Sequence, residues 1–232
     1  MKIATFDVDA QKGFTSLCPD ELPVAGGHEI AAPLNDMARR GSLRLGSKDA
    51  HAPNALWVVE SHDKMLQALS HANADLTWVS HCVPGTAGFE LLDELPAPID
   101  YDFFVWKGVE PDLHPYGACY HDLAGKRSTG VIEYLKVAGV DAVVVGGLAL
   151  DFCVKNTALQ LRSAGLEVLL YLPACRAISE AGATQAIDQM RAQGIIICEG
   201  STALDSELAR LEESDHECCL LYTSDAADDS LR

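Results

Sequence analysis

The sequence predicts an α/β fold: a single domain with a doubly wound, mainly parallel sheet and helices on both faces. Three observations lead there. Short apolar runs alternate with helical stretches of roughly ten to fifteen residues, which is the signature of βαβ units. The strongest of these runs read as buried strands, which suits a sheet covered on both sides. The length of 232 residues, 48% of them hydrophobic, supplies one full core and is short for two.

Taken in order, residues 2–6 are an apolar run ending in acid, consistent with a buried parallel strand. Gly27-His28 opens a helical stretch over residues 29–40, in which Ile30, Leu34 and Met37 share one face. Residues 43–48 make a second strand that stops at Asp49. Residues 52–80 hold turn signals and a short helix around 65–69, with no convincing strand. Residues 102–106 are strand-like and residues 130–138 helical. The run Asp141-Ala142-Val143-Val144-Val145-Gly146 has the composition of a fully buried strand. A helix over 153–164, a strand over 167–172, a helix over 179–193 and a last strand over 195–198 follow. Right-handed crossovers between such strands place helices on both faces. The domain therefore spans residues 1–213. Residues 214–232 lack helical period and cap residues and read as an irregular tail, whose native origin the sequence leaves open.

Composition removes several function classes. The net charge is −17, with 17 Lys+Arg against 34 Asp+Glu, so no clustered positive surface exists for nucleic acid. No run approaches the roughly eighteen apolar residues of a membrane span. Residues 1–6 run straight into Asp7 with no apolar signal segment, so a soluble, cytoplasmic protein is expected. There are eight cysteines, at 18, 82, 119, 153, 175, 198, 218 and 219, none in CxxC spacing. Reduced thiols are expected, most of them small buried residues, with room for one nucleophile.

Open parallel sheets bind ligands beyond the carboxyl ends of their strands, and four polar groups fall at such ends. Asp9 follows the first strand. Alone it reads as a turn or helix-cap acid, but strand period two puts Asp7 on the same face, and mutual repulsion of two buried carboxylates would raise one pKa. Asp49-Ala50-His51 follows the second strand, with His81-Cys82 some thirty residues on. One carboxylate and two imidazoles can form a metal site with open positions, although an isolated Asp-x-His is commonly a surface pair. Lys107 ends an apolar strand, where it either snorkels to solvent or holds a cation near a thiolate. The strongest segment is Gly146-Gly147-Leu148-Ala149-Leu150-Asp151-Phe152-Cys153-Val154. A buried strand ends in two glycines and a tight turn, and a helix opens at a cysteine. A thiol there feels the helix dipole and free amides, which favour thiolate and can receive an oxyanion.

In this order the segments resemble the isochorismatase-like cysteine hydrolases, and within them the nicotinamidases (pyrazinamidases), from residue 2 to about residue 197. Asp9-Ala10-Gln11-Lys12-Gly13-Phe14 is similar to the family's Asp-x-Gln-x-x-Phe, Lys107-Gly108 to its Lys-Gly, and Ala149-Leu150-Asp151-Phe152-Cys153-Val154 to its Ala-Thr-Asp-x-Cys-Val. The resemblance implies a catalytic triad of Asp9, Lys107 and Cys153. It also implies a non-proline cis peptide before Ala149, with the Ala149 and Cys153 amides forming the oxyanion hole. Asp49-x-His51 and Trp78-Val79-Ser80-His81-Cys82 resemble the nicotinamidase metal and pocket segments. They imply metal ligands Asp49, His51 and His81, a substrate ring held between Phe14 and Trp78, and Tyr116 at the pocket border, a place where core packing would equally account for a tyrosine. The metal so implied is divalent, zinc first, with iron or manganese as alternatives.

Two departures stand out. Leu150 occupies the usual Thr position. Trp57 stands where several relatives place another histidine, which leaves Glu60, His62 or water to complete the metal site. The activity implied is hydrolysis of nicotinamide or pyrazinamide to the acid and ammonia through a cysteine thioester, as in NAD salvage, and homo-oligomerisation is left open. A superfamily amidase acting on a carbamoyl or ureido compound would keep the triad without needing the metal, and a non-catalytic ligand-binding member would need neither.

Overall fold

The computed structural model describes the backbone of residues 1–225 and the side chains of residues 1–214. In chain order its strands are β1 (Ile3–Val8), β2 (Leu43–Asp49), β3 (Val58–Val59), β4 (Ala68–His71), β5 (Ala74–Leu76), β6 (Trp78–Val79), β7 (Phe103–Lys107), β8 (Ala142–Leu148), β9 (Glu167–Arg176) and β10 (Ile196–Cys198). Its helices are α1 (Ala31–Ala38), α2 (Val131–Val137), α3 (Lys155–Ser163), α4 (Glu180–Ala192) and α5 (Ser201–Asp225).

Six strands form one fully parallel sheet in the order β10-β9-β8-β1-β2-β7. From β1 the chain builds outward through β2 and β7, then returns to the other side of β1 and builds outward through β8, β9 and β10. The strand order thus reverses between β1 and β8, and the crevice beyond their carboxyl ends is where such sheets bind ligands. Alternate residues of β8 serve opposite layers: Ala142 and Val144 pack with Leu34 and Met37 of α1 and Leu204, Leu208 and Leu211 of α5. Val143 and Val145 pack with Val131 and Leu135 of α2, Ala158 and Leu161 of α3, and Ala186 and Met190 of α4. Burial on both faces is why these runs are apolar without alternation. At Gly147 (φ +135°) a Cβ would sit 1.9 Å from the Val8 carbonyl oxygen, so only glycine lets β8 pass β1 at the switch point.

The long elements match the expectation, while residues 52–80 differ. Instead of a helix around 65–69, Leu66 adopts φ +61° and the chain makes the antiparallel pair β4–β5, and β3 and β6 pair in parallel. Strands of two to four residues carry too few positions for a period to register in sequence. Strand β9 extends beyond residue 172 to Arg176, with a register shift opposite β8. The helix expected from Cys153 begins as a wide π-type turn, Leu150–Val154, before α3. The backbone helix α5 also continues through residues 214–225, expected to be irregular, and the rest of the tail expectation, residues 226–232, lies outside the described residues.

Candidate active site

The carboxyl ends of β1, β2, β7 and β8 deliver Asp9, Asp49, Lys107 and Cys153 to one place. Register alone sets two of them side by side, since Asp49 of β2 pairs with Lys107 of β7. Asp9 follows β1 in a left-handed turn (φ +46°), where its Oδ1 accepts from Ser47 Oγ at 2.7 Å. That turn takes Asp9 off the strand alternation and corrects the expectation for Asp7. Asp7 instead accepts from Arg44 Nη2 at 2.6 Å, Arg44 Nε at 2.9 Å and the Tyr101 hydroxyl at 2.9 Å. The carboxylate that opposes ionisation of Asp9 is Asp49, from the next strand. Gln11 fixes Asp49 in turn: its amide accepts from the Asp49 N–H and donates to the Asp49 carbonyl, both at 2.8 Å.

Lys107 is fully buried and its ammonium is the hub. It contacts the Asp49 carboxylate and lies 3.0 Å from Asp9 Oδ2, 3.3 Å from the Pro115 carbonyl and 3.5 Å from Cys153 Sγ. Burial alone would drive its proton off, but the two carboxylates hold its pKa well above the ordinary lysine value. Asp9 is pushed up from 3.8 to about 6, by burial first, with Lys107 opposing and Asp49 adding to the rise. Burial would likewise raise Asp49, yet Lys107 holds it well below the usual carboxylate range. Cys153 departs from the sequence expectation of a lowered pKa. Burial raises its pKa well above the ordinary thiol value, Lys107 opposes this, and Asp49 and Asp9 add to the rise. The ligand atoms of Asp9, Asp49 and Cys153 all lie within 4.8 Å of one another, which puts a carboxylate within reach of the thiol proton.

Beside this cluster stand the imidazoles. His51 Nδ1 donates to the Gly108 carbonyl at 3.2 Å and His81 Nδ1 to the Val79 carbonyl at 2.7 Å, so each keeps its Nε2 lone pair free. At Gly108 (φ +74°) a Cβ would come within 2.5 Å of the His51 ring. Burial pushes His81 down to about 3. His51 and His81 ring centroids are 4.7 Å apart, and His51 Nε2 is 3.4 Å from Asp49 Oδ1. The buried His51 Nε2 has no hydrogen-bond partner. A donor set of one carboxylate and two imidazoles, one of them with an orphaned Nε2 in the interior, fits a divalent cation. Glu60 and His62 lie elsewhere: Glu60 pairs with exposed Lys64, and His62 Nε2 donates to the Glu21 carbonyl at 2.6 Å. A third imidazole does lie at the site. His114, which sequence reasoning missed, has its ring 4.9 Å from His51. It falls in a stretch without periodicity between Lys107 and Gly130, so nothing local singles it out.

Phe14, Trp78, His81, His114, Tyr116, Ala149 and Cys153 line one small cavity. Trp78 Nε1 donates to the Tyr116 hydroxyl at 3.3 Å, which donates to Asp75 at 2.7 Å, so the aromatic wall is braced by hydrogen bonds. Leu22, Phe152 and Ile178 complete the wall and had no sequence signal of their own. The Leu148–Ala149 peptide is cis, as expected. Leu150 is buried in the core between sheet and helices, which explains an apolar residue at that position. Asp151 accepts from the amides of Ile178 and Ser179, tying the turn to the approach of α4.

A doubly wound sheet that presents a thiol, a buried ammonium and a buried carboxylate together at its switch point has the groups of a cysteine-class nucleophilic hydrolase. Comparison with known proteins makes this specific. The Isochorismatase domain matches residues 8–201. A nicotinamidase of Acinetobacter baylyi is 32% identical over 192 residues, covering 81% of this chain and 88% of the relative. Among solved structures, a pyrazinamidase of Pyrococcus horikoshii in complex with zinc has a TM-score of 0.66 at 28% identity, covering 85% of this chain and 98% of that one. An L. infantum protein in complex with nicotinate has a TM-score of 0.71 at 26% identity, covering 84% and 91%. The chain belongs to the isochorismatase family.

Proposed function

We propose that this protein hydrolyses nicotinamide, and pyrazinamide by the same chemistry, to the acid and ammonia through a thioester on Cys153. The observation that carries the reading is the meeting of Lys107 with Asp9 and Cys153, the last of which lines a small aromatic cavity shared with two imidazoles. The nicotinate complex and the nicotinamidase relative support the same substrate.

Asp9, with a pKa near 6, accepts the Cys153 proton as Sγ attacks the carboxamide carbon. Lys107 stabilises the thiolate as it forms. The Ala149 and Cys153 amides receive the developing oxyanion. Asp9 returns the proton to the leaving nitrogen, and ammonia departs. It then takes a proton from water as the oxygen attacks the thioester, and gives it back to the Cys153 sulfur when the acid leaves. Phe14 and Trp78 hold the ring, with Tyr116 at the border. Asp49, His51 and His81 would hold a divalent ion, zinc before iron or manganese, which supplies an anchor for the pyridine nitrogen and thereby aims the carboxamide at Sγ. No helix of the described residues is long and apolar enough to cross a membrane. A cytoplasmic enzyme of NAD salvage is the setting this reading implies.

Elemental analysis of the purified protein, together with paired rates on nicotinamide and benzamide, tests the reading. Bound metal and a preference for nicotinamide on the order of 10- to 100-fold or more are expected, since benzamide lacks the anchoring nitrogen. Equal rates, or no metal, would transfer the activity to a carbamoyl or ureido amidase sharing the same triad.

A further inference from the structure

His114 is the buried polar side chain that the reaction above leaves without a task. It is 3% exposed, and neither ring nitrogen has a hydrogen-bond partner, although buried imidazoles ordinarily bond at least one. Its ring is nearly parallel to that of His51 (4.9 Å, 16°) and to Trp78 (5.6 Å, 8°), with Trp57 edge-on at 4.3 Å. One ligand nitrogen from each of His51, His81 and His114 lies within 4.8 Å of the others. Two of these rings are oriented by carbonyls that take the Nδ1–H, which leaves Nε2 to face the cluster. His114 is placed instead by its backbone, whose N–H donates to the Asn73 carbonyl at 2.7 Å, and by the aromatic faces around the ring. Three imidazoles brought together with unsatisfied nitrogens, in an interior without an opposing donor for His114, are arranged for a cation rather than for each other.

We propose that His114 is a direct ligand of the divalent ion, so that the site is a cap of three imidazoles, His51, His81 and His114, beside the Asp49 carboxylate. The proposal rests on the metal part of the function above and extends it to a residue outside the sequence motifs. Trp57 closes the side of the cap where it meets both His51 and His114 edge-on. Since His114 also lines the substrate cavity, the ion would tie the Trp78 wall to the histidine cluster.

The test is zinc affinity of the metal-stripped full-length protein, measured by competition with a chromophoric chelator, for wild type, His114→Phe and His114→Ala. Phenylalanine keeps a ring in the aromatic stack and removes the lone pairs, and far-UV circular dichroism with thermal melts of the apo forms reports whether each variant folds. A parallel readout is the ring-nitrogen NMR signals of wild type on zinc addition. The expected result is a loss of affinity of at least about 100-fold in folded His114→Phe, beyond the 10- to 100-fold typical of an outer-sphere partner. Three histidine side chains should shift in the NMR spectrum. Affinity within about threefold of wild type in a folded variant, or only two shifted histidines, overturns the ligand assignment while leaving the metal site standing. Wild type that binds no zinc, iron or manganese would sink the metal site and this proposal together. Should both variants fail to fold, the NMR count decides.

Discussion

Replacing Lys107 by methionine removes one positive charge at almost constant shape, and the structure says what is left behind. Asp9 and Asp49 are both buried and both ion-paired to that ammonium. Even with Lys107 present, the rise of Asp9 from 3.8 to about 6 corresponds to roughly 3 kcal/mol of resistance to ionisation. Stripping one partner from a buried ion pair typically destabilises by about 3–5 kcal/mol. For a domain of this size that lowers Tm by roughly 6–20 °C. The sign of the pH dependence follows. With Lys107 gone, burial raises both carboxyl pKa values above their unfolded values. An acid with a raised folded-state pKa contributes stability at low pH that is lost as pH rises through that pKa. The deficit of Lys107→Met should therefore be small near pH 4 and largest above about pH 7. Adding Asp9→Asn and Asp49→Asn should recover much of it, because no buried charge is then left unpaired. Urea unfolding of the three proteins at several pH values, with chelator present so that no bound ion offsets the carboxylates, makes the measurement. A single variant as stable as wild type at pH 8, or one more impaired at pH 4 than at pH 8, would refute this account of the buried charges.

The nucleophile and the C-terminus give two further expectations. Cys153→Ala should fold with an unchanged far-UV spectrum and lose turnover, and a small alkylating amide should inactivate wild type by modifying Cys153, in competition with nicotinate. If mapped modification falls on half-buried Cys18 and activity is lost with it, the assignment of Cys153 fails. Truncation after Glu213 retains Leu204, Leu208 and Leu211, the α5 residues that pack on the sheet. Such a chain should keep its Tm within about 2 °C and its turnover, whereas a larger drop in a thermal melt would show that residues 214–232 belong to the domain.

Much of the fold was legible because its signals are local. The mostly apolar run of β1 and the unbroken one of β8 suit burial on both faces, and a polar residue that follows the carboxyl end of such a strand stands at the sheet's ligand-binding edge. That is why Asp9, Asp49, Lys107 and Cys153 were identifiable one at a time, and why the structure finds them together. Periodicity failed where elements were shorter than a period, as in β3 to β6, and where the chain left the sheet altogether, as between Lys107 and Gly130. His114 is brought to His51 by backbone pairing with Asn73 and by the Trp57 indole donating to the Leu113 carbonyl at 2.8 Å, contacts between segments some forty to sixty residues apart. The division of labour between Asp7 and Asp9 turned on one left-handed residue and on Arg44 from the neighbouring strand. The upward push on the Cys153 pKa comes from how completely it is buried and from two carboxylates on other strands. Sequence by itself determined which groups stand at the sheet's edge, because strand burial is written in the residues of each strand. Only the tertiary structure decided what those groups are electrostatically, because the charge state of a buried group is set by neighbours that the chain brings from far away.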